Sequence, residues 1–306
     1  MRVVGVDICG ADVDQEKLFS ACEEASRRFS LDIRCYTTLE RIAHERVEPV
    51  VCSDIIRMDE SLFLALRKKK QASLMRALSD LEEEKICALV TCAHTGVVTG
   101  ASSIVLSRFE GLRHPGLLVL IPSIKNTVAM LDVGAFVQAS AQNLLHYVCL
   151  GTAFASSELN VALPRVGLLN IGRESGKGTF ELKQVDEILS SMQTDRWQYM
   201  GNVEPHAVFS GYVDVLVTSG FAGNVFIKTA EGLLGLLRKT GGHTPFVQEH
   251  RLGALLAGVQ KPVFKCHGSV SISSLVDTIY YAFELAQRST VEFLQKAFSE
   301  LRKQLP

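Results

Sequence analysis

The sequence predicts an α/β fold, a largely parallel sheet with flanking helices, on three observations. Short apolar, β-rich runs recur along the whole chain, with segments of helical spacing between them. That alternation is the pattern of strand–helix–strand units, whose strands pair in parallel. Two of the runs stop at glycine-rich corners, 172–178 and 219–225, and hand over to helix-like segments, the place where α/β sheets hold ligands.

In chain order, residues 3–8 form the first strand, followed by a helix with Leu18, Cys22, Ala25 and Phe29 on one face. Residues 31–36 and 49–52 are the next strands. Residues 61–81 read as one helix, with Leu74, Leu78 and Leu81 at helical spacing. Buried strands follow at 86–91, 117–121 and 128–133, then further strands at 166–171 and 213–217. Residues 271–305 read as one long, bent helix carrying Leu275, Ile279, Phe283, Leu294 and Leu301. It would pack over its own domain or against a second subunit. No repeat, low-complexity segment or Pro/Ser-rich linker marks a boundary, so a single unit over 1–306 is expected.

Composition excludes several function classes. A net charge of −1 gives no global pull towards nucleic acid. The longest apolar stretches, such as 116–124, are too short to span a membrane, so membrane association is at most peripheral. The N-terminus enters a strand at once and Asp7 interrupts any signal-peptide core, so a cytoplasmic location is expected. The cysteines at 9, 22, 35, 52, 87, 92, 149 and 266 have neither C-x-x-C spacing nor a nearby histidine pair. They read as buried small hydrophobes rather than a disulfide framework or zinc site, and no metal or cofactor is expected.

The two glycine corners carry the chemistry. Free backbone N–H groups at such corners favour anions, phosphate above all. Lys177, between Gly176 and Gly178, adds a mobile cation, although most loop lysines are merely solvated. The segment is no Walker A loop, since three residues separate Gly172 from Gly176 and Gly178 follows the lysine. Asn224, after Gly223, either donates to an oxyanion or phosphate or caps the following helix. His267, before Gly268 and Ser269, either donates or transfers a proton, or it caps and packs. His94 precedes Thr95 and Gly96 after a buried strand. Arg67, Lys68, Lys69 and Lys70 form a basic run, usually a solvated face. Asp12 and Asp132 sit at strand ends and read as loop-holding carboxylates rather than partners of a lysine. There is no G-x-S-x-G elbow and no nucleophile-type cysteine, so direct attack by bound phosphate suits the sequence better than an acyl-enzyme. A nicotinamide-dependent dehydrogenase is disfavoured, because no G-x-G-x-x-G follows a strand.

A family resemblance rests on these residues. It runs through Val6-Asp-Ile-Cys-Gly-Ala-Asp12, Ala65-Leu-Arg-Lys-Lys-Lys70, His94-Thr-Gly96 and Met130-Leu-Asp-Val-Gly-Ala135. It continues at Gly167-Leu-Leu-Asn-Ile-Gly172, Gly201-Asn-Val-Glu204, Gly220-Phe-Ala-Gly-Asn-Val225 and His267-Gly-Ser269. Together and in this order, the motifs resemble the bacterial phosphate acyltransferase family of phospholipid synthesis, PlsX. The resemblance implies a fold similar to isocitrate and isopropylmalate dehydrogenases. It implies transfer of a fatty acyl group from acyl carrier protein to inorganic phosphate, giving acyl phosphate. Lys177, Asn224 and His267 would then be catalytic. Gly10, Asp12, Lys69, His94, Thr95, Gly96, Gly176, Ser219 and Gly223 would contact phosphate or substrate. Implied partners are acyl carrier protein, a second copy in a homodimer, and a downstream glycerol-phosphate acyltransferase.

The chain departs from the family pattern in places. Ser219 stands where members usually have an aspartate that would partner the Lys177 position. His94 replaces an asparagine, Ala11 a glycine, Phe136 an asparagine, and Pro205-His206 a Gly-Arg-type continuation. The 228–253 segment is shorter than in most relatives, whose longer helical hairpin is tied to dimer contacts and membrane attachment. Residues 238–251 have few apolar side chains. Two other readings stay open: a degenerate relative that binds acyl carrier protein or a partner enzyme without turnover, and a transferase acting on short acyl-CoA.

Overall fold

The computed structural model describes residues 3–40, 45–57, 60, 65, 68–240 and 252–305. The chain groups into two compact units, Met1–Arg108 with Glu249–Val291, and Phe109–Gln248 with Glu292–Pro306. No composition shift announces these boundaries.

The first unit holds β1 (Val3–Asp7), β2 (Asp32–Thr37), β3 (Val47–Val51), β4 (Ala88–Thr91), β10 (Ala254–Ala257) and β11 (Val263–Lys265). They lie in the order β3-β2-β1-β4-β11-β10, parallel except for β10. Helix α1 (Gln15–Phe29) packs with α8 (Ile272–Gln287), and α2 (Ser73–Glu82) with α3 (Thr95–Val105). α1 starts where the Asp14 carboxylate accepts from the Glu16 N–H at 2.9 Å and stops at Ser30, which takes a left-handed φ of 55°. The predicted apolar face holds: Leu18, Cys22 and Ala25 are buried, and Phe29 stacks on Tyr280 of α8 at 4.2 Å.

The second unit holds β5 (Gly116–Pro122), β6 (Thr127–Leu131), β7 (Arg165–Leu169), β8 (Gln198–Val203) and β9 (Val215–Val217). Their order is β5-β6-β9-β7-β8, parallel except for the β5–β6 hairpin. Around them lie α4 (Ala141–Glu158), α5 (Phe180–Ser191), α6 (Pro205–Val208), α7 (Gly220–Lys239) and, from the unit boundary onward, α9 (Thr290–Arg302). α4 is buried without interruption from Asn143 to Ala155 and packs on β6, β9 and α5, as a helix apolar on every side must. At the amino end of β7, Arg165 clasps the Asp214 carboxylate through Nε and Nη2 at 2.9 and 2.8 Å. Hydrogen bonds from Arg165 and Asn126 outweigh burial and hold Asp214 below its ordinary carboxylate range.

The predicted class holds, with corrections at particular elements. Residues 271–305 are two helices, because Ser289 takes a left-handed φ of 52° between α8 and α9. The 61–81 helix is interrupted: Ala65 and Lys68 are helical, residues 69–72 are in no helix, and Ser73–Glu82 forms a separate one; 61–64, 66 and 67 lie outside the described residues. β8, β10 and β11 escape the apolar-run criterion: β8 is a largely polar edge strand, and the other two are four and three residues long. Seven of the cysteines are buried and Cys87 partly so, in keeping with their reading as small hydrophobes.

Candidate active site

In the second unit β6, β9, β7 and β8 run parallel, so the loops after all four leave the same edge of the sheet. The loop after β7 is clamped by two buried asparagines. Asn170 Nδ2 donates to the Lys177 carbonyl at 3.1 Å and to Asn202 Oδ1 at 2.9 Å, while its Oδ1 accepts from the Ile171 N–H at 2.8 Å. Asn202 Nδ2 donates in turn to the Glu174 carbonyl at 3.2 Å. Gly178 is required here: its φ is +88°, and a Cβ would sit 2.6 Å from Asn170 Oδ1. The backbone around Lys177 is thus fixed while its side chain is exposed. Among the described residues nothing pairs with its ammonium. Gly176 next to it faces open space. Asn170→Ala strips partners from the Lys177 carbonyl and the Ile171 amide, and a loss of about 1–3 kcal/mol in urea unfolding is expected.

The corner at 219–225 is not a loop but the opening of α7, which starts at Gly220. Ser219 caps it: its carbonyl accepts from the Gly223 N–H at 2.9 Å, and its hydroxyl lies 3.5 Å from the Ala222 N–H. Asn224 therefore sits inside the helix and is no cap; its Nδ2 donates to the Val133 carbonyl at 3.3 Å. The phosphate contact expected of Gly223 also needs correction, since its N–H serves the helix and a Cβ would collide with the Asp132 carbonyl. The glycines let the start of α7 lie directly on the 132–136 loop. What the corner presents to an anion is the positive end of the helix dipole.

Asp132 holds that loop, as its strand-end position suggested. Its fully buried carboxylate accepts from four backbone N–H groups: Leu117 at 2.9 Å, Gly134 at 3.1 Å, and Ala135 and Phe136 at 3.0 Å. Burial pushes its pKa up and these four bonds oppose the rise.

In the first unit the loops after β1, β4 and β11 also leave one edge, since those strands run parallel. Gly10, with φ +79°, backs onto Ala93, whose Cα would lie 3.3 Å from an added Cβ. The Asp12 N–H donates to the Gly268 carbonyl at 2.9 Å, tying the first loop to His267-Gly-Ser269. His267 is exposed, and its Nδ1 accepts from the Ser269 N–H at 3.2 Å with the Ser269 hydroxyl 2.8 Å away. A backbone amide can only donate, so the proton of the neutral ring sits on Nε2. His94 occupies the cap position of α3 without a side-chain cap bond, and Thr95 and Gly96 open the helix. The structure thus gathers Gly10, Asp12, His94, Thr95, Gly96 and His267 at one edge of the first unit. Gly176, Lys177, Ser219, Gly223 and Asn224 gather at one edge of the second.

Lys69 is the exception. Its ammonium is taken up by Glu60 at 2.7 Å, Asp54 at 3.1 Å and the Ile55 carbonyl at 2.9 Å, which replaces the expected phosphate contact. Lys68 and Lys70 are exposed, and Arg67 lies outside the described residues. Burial raises the pKa of Cys9 and Cys149, leaving neither thiol a nucleophile near neutrality. Residues that sequence reasoning missed are Asn170 and Asn202, the clamp of the Lys177 loop. Their one sequence signal is an amide within two residues of a glycine near a strand end.

Known proteins match this chain over nearly its whole length. The sequence profile described as Fatty acid synthesis protein matches residues 2–240. A phosphate acyltransferase of Streptococcus thermophilus (strain CNRZ 1066) is 32% identical over 329 residues, 97% of this chain and 98% of the relative. The chain belongs to the phosphate acyltransferase (PlsX) family. Another member, from Chlamydia caviae, is 30% identical over 97% of this chain and 99% of its own length. Among solved structures, a branched-chain phosphotransacylase from Enterococcus faecalis V583 superposes with a TM-score of 0.63. It is 16% identical, and the match covers 94% of this chain and 99% of that one. A phosphotransacetylase from Streptococcus pyogenes gives a TM-score of 0.64 at 13% identity, covering 93% and 94%. At such identities the likeness is one of fold. As for membrane contact, no helix among the described residues is long and apolar enough to cross a bilayer.

Proposed function

We propose that this chain, an acyltransferase by family, moves a fatty acyl group from the thioester of acyl carrier protein to inorganic phosphate in the cytoplasm, releasing acyl phosphate for phospholipid synthesis. A phosphate oxygen attacks the thioester carbonyl carbon, the carbon–sulfur bond breaks, and the departing thiolate takes up a proton. The observation that carries this reading is the exposed ammonium of Lys177, unpaired among the described residues, on a loop clamped by Asn170 and Asn202, at the same edge as the amino end of α7. Lys177 and the helix end hold phosphate and offset the charge that builds on the tetrahedral oxyanion. Asn224 borders that helix end, with one amide hydrogen committed to Val133. At the first unit's edge, His267, His94 and Thr95 supply polar groups for the substrate. Phosphate is already a competent nucleophile, so positioning and electrostatics supply most of the rate.

The test is acyl phosphate formation by purified protein from inorganic phosphate and fatty acyl–acyl carrier protein, trapped as the hydroxamate. Product from the carrier-protein thioester supports the reading. Product only from short acyl-CoA would reassign the donor, and none from either would overturn the transferase. Exposed Lys68 and Lys70 suit the acidic surface of acyl carrier protein. The product is a reactive mixed anhydride, which fits delivery to a glycerol-phosphate acyltransferase.

A homodimer is part of the same proposal. From Asn224 to Leu237 no residue of α7 is buried, and Phe221, Val225, Leu233 and Leu236 are exposed. A stripe of that kind on a long helix suits a second copy. Leu233→Glu with Leu236→Glu is expected to halve the mass in light scattering; a monomeric parent would refute the dimer.

A further inference from the structure

We propose that Asp7 is a positioning residue for the first unit's edge, its carboxylate pinning the loop after β1 and, through Thr91, the loop after β4. The inference rests on that edge acting in turnover. Asp7 ends β1 and is fully buried. Its Oδ1 accepts from the Cys9 N–H at 3.2 Å, and its Oδ2 accepts from the Thr91 hydroxyl at 2.9 Å. Thr91 Oγ1 in turn accepts from the Ala93 N–H at 3.1 Å. Gly10 and Asp12 follow Cys9, and His94, Thr95 and Gly96 follow Ala93. One carboxylate thus fixes the stems of two loops that carry six candidate residues between them once His267 is counted through its tie to Asp12.

The donors around Asp7 suit the ionised carboxylate. The Cys9 amide can only donate. Thr91 Oγ1 accepts from Ala93 and has its own proton to give to Asp7. An ionised carboxylate can accept from both neighbours at once. Among the described residues, no cation figures in the forces acting on that charge. The titratable groups around Asp7 are thiols: Cys9 on its own loop, Cys35 of β2, and Cys52 and Cys92 beyond β3 and β4. From α2 comes only the Ser73 hydroxyl. The buried residues of α8, which also packs on β1, include no titratable group. Burial accordingly raises Asp7 from 3.8 to about 6. Between those values the native state binds more protons than the unfolded chain, so stability falls as pH rises from about 4 to 6. At neutral pH the ionised carboxylate is thus kept at a cost to stability, as expected of a group retained for function.

Asp7→Asn keeps the shape but sets an amide donor against either Cys9 N–H or the Thr91 hydroxyl. Its expected signature is divergent. At pH 7.5 the melting temperature stays level or rises, while kcat/KM falls about tenfold or more and its acid limb near pH 6 flattens. Hydrogen–deuterium exchange in peptides covering 8–12 and 92–96 speeds up. In the unmodified protein the same peptides exchange faster below pH 6 than at pH 7.5, after correction for the intrinsic rate. Thr91→Val reproduces the loosening and Thr91→Ser restores it, which keeps the inference testable should Asp7→Asn fail to fold. Exchange unchanged in both loops, or stability and activity falling together with the pH profile unmoved, would overturn the inference. The exchange readout needs no turnover, so failure of the transferase reading would be seen separately.

Discussion

Lys177→Ala is expected to lower kcat/KM for acyl phosphate formation by roughly 10²–10³, about 3–4 kcal/mol of transition-state stabilisation, with no change in stability. The size follows from the task. One cation must hold phosphate and then offset the charge that appears on the oxyanion, in a place where the backbone is already arranged for it. The selectivity follows from the surroundings: the side chain is exposed and pairs with nothing among the described residues, so its removal breaks no native contact. Surface changes of this kind usually stay within about 0.5 kcal/mol. Steady-state kinetics with varied phosphate, beside a urea melt, check both halves. Unchanged turnover would remove Lys177 from the reaction, and a large loss of stability would make its role structural. Ser219→Asp is the companion variant: it restores the carboxylate usual in the family at the cap of α7, where the helix dipole favours negative charge, and turnover is expected to rise.

The sequence makes the Lys177 corner legible because flanking glycines and a strand end are local signals. It does not disclose the clamp, since Asn170 and Asn202 meet only when β7 and β8 pair. Helix α7 reads wrongly at its start for a related reason. Gly220 and Gly223 are poor helix formers, and only the closeness of the 132–136 loop explains why nothing larger fits there. The break at Ser289 carries neither glycine nor proline, so periodicity alone runs α8 and α9 together. Lys69 shows the reverse case: in a basic run it looks available, yet Asp54 and Glu60, further back in the chain, take its charge. Nothing local marks Asp7 as the tie between two loops, because its partner Thr91 lies 84 positions away.

Asp132→Ala is expected to be the most destabilising single change considered, at about 3–5 kcal/mol, because a buried carboxylate that serves four donors leaves all four stranded when it goes. The losses will not add in full, since water entering the gap can serve some of the freed amides. Asp132→Asn separates charge from shape. Oδ1 alone accepts from Leu117, Gly134 and Ala135, so an asparagine oxygen there keeps three bonds, while its Nδ2 turns a donor towards the Phe136 N–H. Asparagine should therefore cost less than alanine. It should also erase one pH dependence: burial raises Asp132, so its ionisation costs stability as pH climbs through the carboxylate range, and asparagine has nothing to ionise. The damage should reach the chemistry as well. The Val137 carbonyl that accepts from the Phe221 N–H lies just beyond this loop, and the Val133 carbonyl that accepts from Asn224 lies within it, so a loosened loop releases the start of α7. Activity and stability should then fall together, unlike the Lys177 variant, where only activity falls. Urea unfolding from pH 4 to pH 8 for the parent, alanine and asparagine forms is the measurement. A loss below about 1 kcal/mol for alanine would mean that the loop stands without its carboxylate.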